Sequence, residues 1–523
     1  MQPSQVRWSA ERPWWRDAVC YQIYLKSFAD SNGDGVGDLD GIRARLGYLE
    51  LLGVDALCLT PCFRSPMASV DADGYDVADP RDIDPLFGDL AAFDALVAAS
   101  HEHGIRLVLD LVANHTSTQH EWFQAALGSG PGSPERDRYV FRYGRGPGDA
   151  SPPNNWPSQT GGPAWTRIAE RHGEMGQWYL HLFTPEEPDL NWSNPDVWTD
   201  LEKTLRFWLD RGVDGFRIDT AHGMAKPHGL PDAPSQSFGQ VDGGDGPDAR
   251  FDHDGVHEIH RMIRSVLDEY PARVLVGGIR VADDERFGRY LRPDELHLGE
   301  NSGLLHVEFE AGEIKAAIER AVRTAGWVSG TPSWAISRSD VPRPVSRFGG
   351  GQQGLRRARA LALVQLGLPG AAFLYNGEEL GLPSVPPPDP DKQARNAHRV
   401  PLPWEGDEPP YGFSEGETSW LDMPDGWAGL TVEAQLEDAH STLSLYRHAL
   451  EIRRGHPGFV GDELEWFGAP AGCFAFRRTE TTLACVLNTS EFAVDLPPGD
   501  VLISSGPLTE DGWLPPDTAV WLA

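Results

Sequence analysis

The regular alternation of short apolar runs with longer amphipathic runs is the feature that most constrains the fold of this chain. The apolar runs have the length of buried strands, and the amphipathic runs have the period of helices. Strands that alternate with helices lie parallel in one sheet, so we predict an α/β fold, a (β/α)8 TIM barrel. The predicted strands are 19–24, 56–60, 106–112, 213–219, 273–277, 333–337 and 371–375. The predicted helices are 41–52, 90–103, 198–211, 257–270, 313–324, 354–367 and 440–453.

Stretches rich in Gly and Pro interrupt this alternation and indicate further domains. The longest, 116–190, lies between a predicted strand and the next helix, where insertions decorate the carboxyl-terminal face of a barrel. Beyond about residue 456 the helical pattern gives way to short alternating runs typical of antiparallel strands. We therefore predict barrel segments at 1–115 and 191–456, an inserted domain at 116–190 and a C-terminal antiparallel β-domain at 457–523.

Composition excludes several partners. The chain carries 78 Asp and Glu against 45 Lys and Arg, a net charge of −33, which disfavours nucleic acid and anionic membranes as partners. The N-terminus has no apolar signal-like segment, and no apolar run is long enough to span a bilayer. The five cysteines are an odd number without zinc-site spacing, so we expect reduced thiols and a cytoplasmic location.

The predicted strand 213–219 ends in two charged residues, Arg217 and Asp219. Residues two apart on a strand point to the same face, and buried charges are either paired or used. A neighbouring arginine lowers the pKa of a carboxyl group and keeps it ionised, as a nucleophile must be. The alternative is a simple salt bridge at the end of the strand.

Polar residues recur at or near other strand ends. They are Tyr75 and Asp76, Asp110, Asn114 and His115, and Asp340. Together with the runs 177–183, 188–192 (PDLNW) and 375–381 (YNGEELG), they make residues 14–455 similar to the α-amylase superfamily, glycoside hydrolase family 13. The sequence most resembles the branch of α-glucosidases, oligo-1,6-glucosidases and trehalose-synthase-like proteins. The resemblance implies a barrel with an inserted domain B, a C-terminal β-domain and a small carbohydrate or glycoside as ligand.

The resemblance also implies roles for the strand-end residues. Asp219 corresponds to the nucleophile that forms a glycosyl-enzyme intermediate, and Arg217 to the residue that orients and ionises it. Asp340 corresponds to the aspartate that binds sugar hydroxyls more tightly in the transition state. The remaining matches are substrate contacts at Tyr75, Asp76 and His115, and a structural acid at Asp110.

The segment 30–38 (DSNGDGVGD) has oxygen-bearing residues at alternating positions, which suits a hard cation. Gly41 stands where an EF-hand requires glutamate, so the segment is not an EF-hand. The resemblance implies a structural Ca²⁺ or Mg²⁺, and an Asx-rich turn without metal is the alternative. The expected ligands are Asp30, Asn32, Asp34, the Val36 carbonyl and Asp38.

One expected residue is missing. A retaining glycosidase needs a nucleophile and an acid/base carboxyl group, and the family places its acid/base glutamate where this chain has Gly278. Loss of general acid catalysis typically slows a reaction by about 10²- to 10⁴-fold. The family's histidine before the stabilising aspartate is also replaced, by Ser339.

Three interpretations remain open. In the first, Asp219 attacks a donor whose leaving group needs no proton, such as a phosphate or nucleotide, and Arg280 and Arg338 bind that group. In the second, Glu300 has become the acid/base residue. In the third, the protein is a pseudo-glycosidase that binds a sugar or partner. Arg280, Arg338 and Glu300 could instead be surface residues or members of local salt bridges. We expect an enzyme that transfers or hydrolyses an α-glycoside.

Overall fold

The computed structural model describes residues 12–66, 74–170, 175–234, 248–281, 283–386, 394–479 and 481–523. Eight parallel strands form one nearly closed barrel, which confirms the predicted fold class. Around the barrel they run in the order β6-β5-β4-β3-β2-β1-β8-β7. The strands are β1 Val19–Ile23, β2 Ala56–Leu59, β3 Arg106–Val112, β4 Gly215–Asp219, β5 Val274–Gly277, β6 Leu298–Gly299, β7 Ser333–Ala335 and β8 Ala371–Tyr375.

The strand β6 was not predicted, because two residues are too few to show a pattern. It lies beside the seam where β6 and β7 do not pair as strands. The Ser333 hydroxyl bridges this seam: it donates to the Gly299 carbonyl at 2.6 Å and accepts from the Asn301 amide at 3.4 Å. A side chain therefore replaces backbone pairing at this point of the barrel.

Capping residues explain where the helices depart from prediction. The Asn194 side chain accepts the Asp196 amide and Pro195 occupies the first turn, so that helix starts three residues before the predicted 198. The predicted helix 41–52 is two helices that meet at Arg45. The α-helices are Leu39–Ala44, Leu46–Leu52, Leu90–Glu102, Glu121–Gly128, Pro134–Asp137, Pro195–Asp210, Val256–Leu267, Asp284–Tyr290, Gly303–His306, Ala311–Gly326, Pro344–Arg347, Gly351–Gly367, Val432–Glu437 and Thr442–Gly455.

Smaller sheets lie outside the barrel. A three-stranded antiparallel sheet lies in the insertion, and a five-stranded antiparallel sheet follows the last helix. The strands of the insertion are Phe141–Arg142, Trp165–Ala169 and Met175–Leu180, and a short pair is Phe63–Arg64 with Asp79–Ile83. The C-terminal strands are Leu464–Phe467, Cys473–Arg478, Ala484–Asn488, Val501–Ser504 and Thr518–Leu522. The 3₁₀ helices are Trp14–Arg16, Leu25–Ser27, Pro147–Asp149, Ala394–His398, Ala428–Leu430 and Pro457–Phe459.

Among the described residues, no helix is both long enough and apolar enough to span a membrane. All five cysteines are free thiols, and four of them are buried.

Candidate active site

The register of the barrel strands brings the predicted residues to one rim. Asp110 on β3 lies beside Arg217 on β4, and Val112 lies beside Asp219. On the other flank, β4 pairs with β5, and the Gly278 amide donates to the carbonyl of the residue before Asp219. Asp219 therefore lies between the end of β3 on one side and Gly278 on the other.

Arg217 is the centre of a buried ionic network. Its Nη1 donates to Asp110 Oδ1 at 2.6 Å, and its Nε and Nη2 donate to the two carboxylate oxygens of Glu300 at 2.8 and 2.9 Å. Asp219 Oδ1 lies 3.5 Å from Nη1. Burial alone would lower the pKa of Arg217, but the surrounding carboxylates raise it well above its usual range. The guanidinium group therefore stays positively charged and interacts with three carboxyl groups, those of Asp110, Asp219 and Glu300.

Asp219 keeps the environment expected of a nucleophile. About a quarter of its side chain is exposed, whereas only 4% of the Asp110 and Glu300 side chains is. The Thr220 hydroxyl donates to Asp219 Oδ2 at 2.9 Å. Thr220 has a φ of 47°, an unusual value for a β-branched residue and one that clusters at functional sites.

Asp110 has a raised pKa, because its surroundings disfavour the ionised carboxylate. Burial raises its pKa to about 7; Arg217 acts in the opposite direction, and the negative charge of Asp219 adds to the rise. The Tyr75 hydroxyl donates to Asp110 Oδ2 at 3.1 Å, so Tyr75 contacts this network as well. Asp110 is therefore half protonated near neutral pH.

Gly278 leaves one face of Arg217 without a neighbouring side chain from β5. A Cβ at this position would lie 3.1 Å from Arg217 Nη2 and 3.4 Å from the Ile218 carbonyl oxygen. The backbone of Gly278 is not left-handed, so its conformation does not require glycine.

Glu300 approaches Arg217 from the neighbouring strand end. It is buried, and besides the two bonds from Arg217 it accepts one from Gln22 Nε2 at 2.8 Å. Arg338 Nη1 lies 3.9 Å from its other oxygen. Each of these partners is a hydrogen-bond donor or a cation, whereas an acid/base residue has to offer a proton to the departing group.

Asp340 is held by both arginines that flank it. Arg280 Nη2 donates to Asp340 Oδ2 at 2.6 Å, and Arg338 binds it through Nε at 2.6 Å and Nη2 at 3.1 Å. Burial would raise the pKa of Asp340, but Arg338 and Arg280 hold it well below its usual range. The salt bridges considered for Arg280 and Arg338 from the sequence are thus present, with the predicted sugar-binding aspartate as their partner.

The environment of His115 fixes its tautomer. Lys226 Nζ donates to Asn114 Oδ1 at 2.9 Å, so the amide nitrogen of Asn114 is the group that lies 3.2 Å from His115 Nδ1. Nδ1 therefore accepts, and in the neutral ring Nε2 carries the proton. This Nε2 is buried and has no hydrogen-bond partner among the described residues, and Glu187 Oε1 lies 3.6 Å away. A ligand oxygen would satisfy the unused donor.

Asp76, predicted as a ligand contact, is buried. Its contacts include the hydroxyl groups of Ser65 and Ser117. Its carboxylate thus joins two loops beside the rim.

The predicted metal loop is a series of Asx turns. The side-chain oxygens of Asp30, Asn32 and Asp34 each accept, at 2.9 Å, the amide two residues further on, the last being that of Val36. Asp38 caps the following helix. The donor set is oxygen only, which fits Ca²⁺ or Mg²⁺. No group of three or more His, Cys, Asp or Glu side chains in the described ranges is gathered to hold a metal.

Three residues of the site were not identified from the sequence: Gln22, Glu187 and Lys226. Gln22 is the penultimate residue of β1 and Lys226 lies seven residues after Asp219, so position alone gave little signal. Glu187 directly precedes the PDLNW run that carried the resemblance. An acid in that position was a signal that could have been used.

A parallel barrel with Asp219, its neighbour Arg217 and a second aspartate at one rim has the arrangement expected of a glycosidase. Comparison with known proteins gives the family. The catalytic domain of the alpha-amylase family matches residues 22–462, so the chain belongs to that family of glycoside hydrolases and transglycosidases.

The relatives include glucosidases and trehalose-processing enzymes. The chain is 34% identical over 497 residues to an oligo-1,6-glucosidase of Parageobacillus thermoglucosidasius, covering 85% of this chain and 84% of that protein. It is 37% identical over 488 residues to the trehalose-6-phosphate hydrolase of Escherichia coli K12, with 84% of each covered.

Solved structures agree with these relatives. The α-glucosyl transfer enzyme XgtA matches with a TM-score of 0.87 at 35% identity, covering 98% of this chain and all of that one. The trehalulose synthase MutB of Pseudomonas mesoacidophila matches with a TM-score of 0.85 at 29% identity, covering 98% and 99%.

Proposed function

We propose that this protein transfers an α-glucosyl group through Asp219, from a donor whose leaving group departs as an anion without protonation. The observation that carries the proposal is the contrast between the two sides of Asp219. About a quarter of the Asp219 side chain is exposed and it lies near Arg217, whereas Gly278 offers no side chain and the cations Arg280 and Arg338 flank the nearby Asp340.

The bond changes need no proton in the first step. An Asp219 oxygen attacks the anomeric carbon, and the bond to the leaving oxygen breaks with both electrons on the leaving group. A phosphate carries that charge, and Arg280 and Arg338 can bind it through the N–H groups that Asp340 does not occupy. In the second step an acceptor oxygen attacks the same carbon and displaces the Asp219 carboxylate. If the acceptor is a hydroxyl group, its proton passes to the anion that left in the first step. Two inversions retain the α configuration.

The contacts of Glu300 favour this reaction over one in which Glu300 is the acid/base residue. Its carboxylate accepts three hydrogen bonds, two of them from Arg217. The relatives give further support, because XgtA is described as an α-glucosyl transfer enzyme and MutB as a trehalulose synthase.

Intact-mass measurement tests the proposal. Incubation with an activated, fluorinated α-glucosyl fluoride should add one glucosyl mass, located by peptide mapping at Asp219. Asp219→Asn is the matched control and should remain unlabelled. Unmodified α-glucosyl fluoride should be consumed while maltose, with a poor leaving group, is not. An unlabelled wild-type protein, or equal turnover of maltose, would contradict the proposal.

A second function is favoured by one observation. Asp340 accepts three hydrogen bonds from Arg280 and Arg338, which leaves about one of its four acceptor sites for a sugar hydroxyl. This arrangement supports a pseudo-glycosidase that binds a sugar without turnover. Calorimetric binding of sugar together with the absence of any adduct would select this function.

We also propose that the loop 30–38 binds Ca²⁺ or Mg²⁺ through Asp30, Asn32, Asp34, the Val36 carbonyl and Asp38. Added Ca²⁺ should raise the melting temperature after treatment with a chelator, and Asp34→Asn should reduce this gain. An unchanged melting temperature would contradict the site.

The free thiols support a cytoplasmic location.

A further inference from the structure

The charged groups on the two flanks of Asp219 have opposite sign. On the flank of β5 to β7 lie Arg280 and Arg338. On the flank of β3 lies the carboxylate of Glu187, which reaches His115 from the inserted domain. Unlike Glu300 and Asp340, Glu187 has no arginine among its contacts in the part of the chain that the structure describes: its Oε2 accepts from the Thr184 amide and hydroxyl, both at 3.0 Å.

Glu187 and His115 present one acceptor and one donor to the same point. Glu187 Oε1 lies 3.6 Å from His115 Nε2, which is too far for a direct hydrogen bond. Nε2–H is buried without a partner, and the contacts of Thr184 hold the other Glu187 oxygen in place. A hydroxyl oxygen placed about 2.8 Å from both atoms would accept from His115 and donate to Glu187.

We propose that Glu187 determines substrate specificity: it binds the neutral 6-hydroxyl of the transferred sugar and rejects a sugar phosphorylated at that position. A hydroxyl can both donate and accept, and thus satisfies both groups. A phosphate dianion has no proton to donate, and its charge lies against a carboxylate, a juxtaposition that is strongly unfavourable at a desolvated site.

The opposite flank then orients the donor, an extension that rests on the proposed function. The sugar ring lies towards His115 and Glu187, and the anionic leaving group lies towards Arg280 and Arg338. The same pocket accordingly accepts a negative charge at the anomeric position and refuses one at the hydroxyl that contacts Glu187.

Calorimetric titration with glucose, α-glucose 1-phosphate and glucose 6-phosphate tests the proposal. Wild-type protein should bind glucose 6-phosphate at least about tenfold more weakly than glucose. Glu187→Gln should remove most of this difference while changing glucose affinity by less than about threefold, because the amide oxygen still accepts from a hydroxyl. Glu186→Gln, the same charge change at the exposed neighbour, should leave all affinities unchanged.

Several results would overturn the inference: equal binding of glucose and glucose 6-phosphate, unchanged discrimination in Glu187→Gln, or no binding of any of the three compounds. A purely structural role for Glu187 would lower affinity for all compounds alike and reduce the melting temperature. Failure of the proposed transfer is a separate result, because it appears as the absence of an adduct at Asp219 whatever the titrations give.

Discussion

The buried carboxyl group of Asp110 should make the stability of this protein fall as the pH rises. Its pKa is raised from 3.8 to about 7 by burial, with a further contribution from the Asp219 charge. A group whose pKa is higher in the folded state binds its proton more tightly there. Its contribution to stability is complete below pH 3.8 and is lost as the pH rises through 7.

The size of this effect follows from the shift. At about 1.36 kcal/mol per pKa unit, a rise from 3.8 to 7 corresponds to about 4 kcal/mol. About 2.5 kcal/mol of this stabilisation is lost between pH 5 and pH 8, a range that lies above the sequence pI of about 4.8. In Asp110→Asn the group cannot ionise, while the amide oxygen can still accept from Arg217.

Urea denaturation at fixed pH, followed by tryptophan fluorescence, measures the difference. Between pH 5 and pH 8 the variant should gain about 2.5 kcal/mol relative to the wild-type protein. Asp40→Asn, which changes an exposed aspartate paired with Arg43, should follow the wild type throughout. If Asp110→Asn and the wild type differ by a constant amount at every pH, the assignment of the titration to Asp110 is refuted.

Three further substitutions test the network and the barrel seam in the same urea assay. Glu300→Gln should lower the free energy of unfolding by about 3 kcal/mol, because it removes a buried partner of Arg217; turnover of unmodified α-glucosyl fluoride should persist, and a loss of turnover with Asp219 still labelled would restore Glu300 as a candidate for the base of the second step. Gly278→Ala should lower it by about 1–3 kcal/mol, since the added Cβ would lie 3.1 Å from Arg217 Nη2, which Glu300 holds in place; an unchanged value would contradict the contact. Ser333→Ala should lower it by about 1–2 kcal/mol through the lost bridge between β6 and β7, and an unchanged value would show that the seam needs no bridge.

Much of the barrel could be predicted because a strand pattern is local. The strands β3 and β8 have the predicted bounds, since both are apolar runs with clear ends. The strand β6 escaped because its residues are too few, and its neighbours are joined by a side chain instead of a strand pair. The start of the helix at Pro195 depended on a cap that periodicity does not reveal.

The site was predictable to the extent that parallel strands end at one rim. That rule brings Asp110, Arg217 and Asp219 together without any knowledge of their contacts. The partner of Glu300 could not be predicted in this way, because Arg217 lies 83 residues away and several acids compete for it. Glu187 belongs to the inserted domain, and its approach to His115 depends on how that insertion folds over the barrel.

The sharing of Arg217 has a consequence for redesign. Glu300 already occupies the Nε and Nη2 edge of this arginine, and a side chain at Gly278 would meet the same Nη2. Introducing glutamate at Gly278 alone would crowd two carboxylates onto one guanidinium edge, and removing Glu300 alone would strip that edge of its partner. The two substitutions should therefore be non-additive, each harmful singly and tolerated together. Conversion of this scaffold to an ordinary glucosidase has to pass through the pair in one step.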